Sequence, residues 1–179
     1  MHAMAKVINL KAYRNQALDQ RIYGPWVKRF GERYDQSLTL PDLSAKVLFG
    51  LALPGDPGSM AYYELIMGIL DLGPADHFHF LDNDHRMRVV DTHLFLADQV
   101  RFELMYRLSW ITRFGARELP LVQMVLELGE AKKQVHKQPP QLAASHPEYA
   151  HYQKLVYGDK EAFLRRMLPA ALEAFQKQL

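Results

Sequence analysis

The residues best equipped for chemistry fall between Asp76 and Arg101. Histidines and carboxylates crowd the stretch Asp76-His-Phe-His-Phe-Leu-Asp-Asn-Asp-His85, and Asp91, His93, Asp98 and Arg101 follow. Imidazole nitrogens and carboxylate oxygens suit zinc, iron or manganese. Carboxylate-bridged di-iron bundles take a Glu from each of two helices and a Glu-x-x-His from each of two others. The order Glu64, Asp82-x-x-His85, Glu103 or Glu127, then Glu148-x-x-His151 follows that plan loosely. The candidate metal ligands are therefore His77, His79, His85, Glu148 and His151. Against them, Asp82 fits a helix cap, Glu148 and His151 fit a first turn, and Glu103 is expected on the outer side of its helix. Capping residues and solvated histidines explain the same spacings, so the expectation is no metal and no cofactor.

Arg101 poses a different problem. At about 100° per residue, Val90, Leu94, Ala97, Leu104, Leu108 and Ile111 cover one side of a helix, Val89, Leu96 and Val100 widen that side, and Arg101 falls between Leu94 and Leu108. His93 lies close to Val100 and Ile111 on the same wheel. A buried guanidinium or imidazole needs a partner. Asp98 is the expected first partner of Arg101, with Glu64 or Glu127 next. Where no protein carboxylate fills those places, Arg101 becomes an anion-binding residue in a helical pocket, with His93, Asp98 and Glu64 beside it.

Other chemistries find less support. Asp84, Asp91 and Asp98 recur every seven residues with Arg88 among them, which reads as a solvated stripe with Asp84 paired to Arg88. The loop Pro54-Gly-Asp-Pro-Gly-Ser59 precedes a helix N-terminus, where backbone donors attract anions, yet it lacks the lysine-bearing phosphate-loop pattern and reads as a turn. None of the five serines sits in a nucleophile motif. Lys6, Lys11, Arg14, Arg21, Lys28, Arg29 and Arg33 make the N-terminal third basic, and Arg14, Arg21 and Lys28 can line one face toward nucleic-acid phosphates. The overall charge of +2 gives that idea no further help.

The elements that must position these residues are helical throughout. The 179 residues are nearly half hydrophobic, with 9 Phe, 9 Tyr and 2 Trp, enough to fill a core without a staple. No cysteine is present, which excludes disulfides, thiolate nucleophiles and Cys-ligated metals, and fits a reducing cytoplasm. No apolar run reaches the ~20 residues of a membrane span, and the first residues lack the apolar stretch of a signal peptide.

Periodicity predicts helices over about 7–23, stopped by Gly24-Pro25, then a short one carrying Trp26, and another opened by Pro41. Ser59 caps a helix to Leu72, a turn follows around 75–81, and Asp82-Asn83 caps a long helix that runs to Gly115. Pro120 opens the next. Ser145-His-Pro-Glu148 reads as a capping box, and Asp159 caps a last helix that Pro169 kinks. Leu65–Gly73 echoes Leu121–Gly129, a match that converging amphipathic helices explain as well as a duplication does.

The resulting expectation is a single all-α domain over 1–179, a bundle of about seven helices around a long central helix at about 84–114. The leading function is a non-catalytic cytoplasmic binding or regulatory protein with a small pocket beside Arg101 and His93. A metal-dependent enzyme and a nucleic-acid binder are the alternatives. The aromatic segments around Trp26 and Phe78/Phe80 offer surface for a twofold homodimer.

Overall fold

The computed structural model describes residues 9–179, so Lys6 and Val7 lie outside the described residues. The chain is all-α, and among the described residues the only β features are two isolated antiparallel bridges, Thr39 with Pro120 and Ile111 with Leu142. Helix α1 (Leu10–Phe30) is capped by the Asn9 side chain, which accepts from the amides of Lys11 and Ala12. It does not stop at Gly24-Pro25. Pro25 removes one backbone donor, but Ile22 and Trp26 on either side of it are buried, and Trp26 packs its ring on Phe30 and Tyr34. Core packing overrides the local breaker, and the helix ends at Gly31, whose φ of 68° only glycine adopts freely.

A one-turn 3-10 segment at Leu40–Asp42 leads into α2 (Ala45–Ala52), capped by Ser44. Helix α3 (Asp56–Leu70) starts before Ser59, because Pro57 fits a first turn where no N–H partner is needed. A 3-10 turn at Ala75–Phe80 follows, and Asp82 caps α4 (Asn83–Arg107) by accepting from the His85 amide at 2.9 Å.

The central helix is shorter than the predicted 84–114. Ser109 adopts a left-handed φ of 62°, and the amides of Ser109 and Trp110 turn back onto Tyr106 and Met105 carbonyls. That reversal ends the helix and frees Ile111 to reach Leu142. Gly115 is not the stop. It opens a 3-10 turn, Gly115–Glu118, and a Cβ there would lie 2.8 Å from the Gln134 carbonyl oxygen.

The remaining elements are α5 (Leu121–Leu126), α6 (Leu128–Lys137), α7 (Tyr149–Gln153), α8 (Tyr157–Arg166) and α9 (Leu168–Gln176). Nine described α-helices stand where about seven were expected, because the helix opened at Pro120 and the last helix each split in two; the last one starts at Tyr157, with the expected cap Asp159 inside its first turn. The second split falls just before Pro169. The Ser145 capping box does not form, and the Glu148 amide donates instead to His146 Nδ1 at 3.1 Å, leaving α7 a single short helix. The echoed segments also diverge: Leu65–Leu70 ends at a left-handed Asp71, whereas Leu121–Leu126 runs on through Glu127 into α6.

Helix α4 packs against α2, α3 and α9. Its buried side carries Val89, Leu96, Val100, Glu103 and Leu104, and Leu94 is 60% exposed. The helix is thus rotated from the predicted orientation. Val90 and Leu94 are as apolar as Val89 and Leu96, so periodicity alone does not choose between the two sides. No helix among the described residues is long and apolar enough to cross a membrane.

Candidate functional site

Rotation of α4 puts Leu94, Ala97, Asp98 and Arg101 along one edge, at spacings of three and four residues that share a helix face. His93 lies one position away. This edge meets the end of α2, the Leu53-Pro54-Gly55 loop and the first turns of α3, and Arg165 of α8 closes the far side. Together they enclose a cleft of about 440 Å³, a volume in the range of small-molecule sites.

The expected partners of Arg101 are all occupied elsewhere. Asp98 accepts through Oδ2 from Arg165 Nη2 at 2.9 Å and Nε at 3.3 Å. Glu64 takes a bidentate pair from Arg29 at 2.7 and 3.0 Å. Glu127 accepts from Gln123 at 3.3 Å. Arg101 makes no hydrogen bond or ion pair among the described residues, and its Nε is buried without an acceptor. Gln99 Oε1 and the Tyr34 hydroxyl are also buried without partners, but neither lines the cleft.

The rest of the lining is electrostatically simple. His93 stands between the rings of Tyr62 and Tyr63, with centroids 5.0 and 5.2 Å away. Burial first, and the charge of Arg101 second, push its pKa below the usual imidazole value. Tyr62 donates to the Leu51 carbonyl at 2.9 Å, and burial holds its phenol well above the ordinary range. It is a wall of the site. The hydrogen bonds that Arg165 donates to Asp98 keep its guanidinium firmly protonated. Gly55 begins α3 with no side-chain cap and lines the cleft, and Asp56 follows it in the first turn. Ser59 lines the cleft as well.

A larger groove of about 840 Å³ runs between α1 and α3, but its guanidiniums are already engaged. Arg21 donates to the Gly68 carbonyl at 3.0 Å and approaches Asp71, and Arg29 holds Glu64. The expected Arg14–Arg21–Lys28 stripe is therefore not a free basic face, since Arg21 is turned onto α3. Arg88 likewise does not pair with Asp84. Its Nη2 donates to the Val125 and Leu126 carbonyls at 2.9 and 3.2 Å, capping the end of α5.

The structure does not bring the candidate metal ligands together. His77 and His79 pack edge-on against Phe80 and Phe78, His85 bonds Asp82 at 2.8 Å, and His151 rests on Phe163. No group of three histidines or carboxylates that could hold an ion exists among the described residues.

Glu103 corrects the sequence reading most sharply. It does not project outward but is fully buried. Arg107 Nε donates to Oε1 at 3.0 Å, and Arg117 Nε donates to Oε2 at 2.6 Å. Arg107 also caps the Leu40 carbonyl at 2.9 Å, and Arg117 lies 3.8 Å over the Tyr106 ring. Arg165, Ser59 and Tyr62 are the site residues the sequence reading missed. Arg165 is 67 residues from its partner Asp98 and has no local signal. The loop before Ser59 did carry one, a helix start without an acidic cap.

No family model, curated protein or solved structure matches this chain.

Proposed function

We propose that the protein is a non-catalytic binding or regulatory protein that takes a small anion in the cleft between α2, α3 and α4. One observation carries this reading: Arg101 has a buried Nε with no acceptor, while every carboxylate expected to pair with it is held by another residue. Arg101 is half-buried, a guanidinium nitrogen taken from water without an acceptor is costly, and an anion in the cleft supplies the missing acceptor. The backbone amides at the start of α3, where Gly55 lines the cleft, favour the same sign of ligand, and Asp56 in that first turn offsets them in part. His93, lowered in pKa and packed beside Tyr62 and Tyr63, is a neutral imidazole at pH 7.

The test is thermal unfolding of the full chain with and without millimolar acetate or phosphate, at matched ionic strength. Wild type is expected to be stabilised by at least one of the two anions, and Arg101→Met by neither. Equal stabilisation of both proteins, or of neither, would overturn the reading. We place the protein in the cytoplasm, on its cysteine-free composition.

The homodimer reading loses Trp26, which is buried in the core, but keeps a surface. Phe80 is 84% exposed and Met87 is 64% exposed at the start of α4, and a twofold contact would cover them. Sedimentation at micromolar concentration checks it, a species of twice 20.7 kDa being expected and a clean monomer excluding it.

A further inference from the structure

We infer that the ligand of the Arg101 cleft is a small monocarboxylate carrying an apolar substituent. The inference rests on the anion reading above and adds the charge and shape of the ligand.

The charge follows from the ionised groups in the lining. Arg101 and Arg165 are positive, and Asp98 is negative and bound to Arg165 at 2.9 Å. Glu161, just outside the lining, also approaches Arg165 at 3.8 Å, so Arg165 is met by carboxylates and the one unpaired positive charge is that of Arg101. A monoanion neutralises it. A dianion such as hydrogen phosphate leaves the site negative and pushes against Asp98, whose second oxygen has no hydrogen-bond partner among the described residues. A carboxylate also matches the planar fork of a guanidinium, which can donate two parallel hydrogen bonds to it.

The shape follows from the apolar part of the lining. Leu51, Leu53, Leu94 and Ala97 line the cleft beside the charged residues. Leu53 is 41% exposed and Leu94 is 60% exposed, so apolar surface stands open at the lip of a charged site. A ligand that only filled the anion position would leave it bare. The cleft holds roughly fifteen water-sized volumes, ample for a carboxylate with a short hydrocarbon chain or ring. Each methylene that reaches Leu53 and Leu94 tightens binding by up to about fourfold.

The experiment is a calorimetric titration of the full chain with acetate, butanoate, hexanoate and inorganic phosphate at one ionic strength and pH 7. Affinity is expected to rise at least about tenfold from acetate to hexanoate, with phosphate no tighter than acetate. Leu94→Gln, at an exposed position that the core does not use, should lower the ratio of hexanoate to acetate affinity. Asp98→Asn, which raises the local charge by one, should shift the preference toward phosphate. Equal affinities for acetate and hexanoate, or phosphate binding tightest, overturns this inference while leaving the anion site standing. Absence of binding by all four overturns both.

Discussion

Arg101 and Glu103 are two residues apart on α4, point to opposite sides of it, and meet opposite fates. Glu103 is fully buried and receives Arg107 and Arg117, each bonded to a different carboxylate oxygen and each further engaged by a carbonyl or an aromatic ring. Arg101 faces a cleft, and its charge meets no carboxylate. The first cluster is closed, because both carboxylate oxygens of Glu103 and both guanidiniums that meet it have protein partners. The second is open. A closed ionic cluster in a core is structural, since removing one member strands the others. An open one has room for something the chain does not supply. That contrast, rather than the mere presence of charge on a central helix, locates the site.

The comparison is most easily broken at the closed end. Glu103→Gln leaves two guanidiniums facing a neutral amide, and the expected loss in urea unfolding is about 3–5 kcal/mol. Arg117→Met removes only one donor, with Arg107 still holding the carboxylate, and should cost about 1.5–3 kcal/mol, the scale of a hydrogen bond to a charged group. Arg101→Met should cost less than about 1 kcal/mol without anion, because no protein pair is lost. If Arg101→Met cost as much as Glu103→Gln, the two regions would be alike and the cleft would be a structural cluster.

The smallest effect belongs to His93. Its pKa is lowered in the folded protein from the ordinary 6.5. Above 6.5 the imidazole is neutral in both states and contributes nothing to the pH dependence. As pH falls below 6.5 the unfolded chain takes up a proton that the folded chain refuses, so stability declines until the lowered folded value is passed. His93→Phe, which keeps a ring between Tyr62 and Tyr63, should flatten the stability profile in this window. Arg101→Met should flatten it partly, because the charge of Arg101 is the second cause of the lowering after burial. An Arg101→Met profile identical to wild type in this window would mean that the two side chains do not sense each other.

Much of the fold was legible from residue patterns. The helical class, the turn at 75–80, the Asp82 cap and the early position of Pro41 follow from local chemistry: a carboxylate accepts from free amides at a helix start, and proline needs no partner there. The same local rules misplaced helix ends where distant packing intervened. Gly24-Pro25 did not stop α1 because Trp26 is anchored in the core, and α4 stopped early because Ser109 turned left-handed.

The site was half legible. Sequence alone identified α4 as the central helix, picked out Arg101 and His93 as polar residues among apolar ones, and stated the condition under which Arg101 would bind an anion. It could not decide which way α4 faces, because apolar residues surround that helix and its periodicity has no single direction. It could not assign Asp98 to Arg165, Glu64 to Arg29 or Glu103 to Arg117, because an ion pair depends on distance in space and these partners lie 67, 35 and 14 residues apart. Tertiary packing made those assignments, and by doing so it left one guanidinium without a carboxylate.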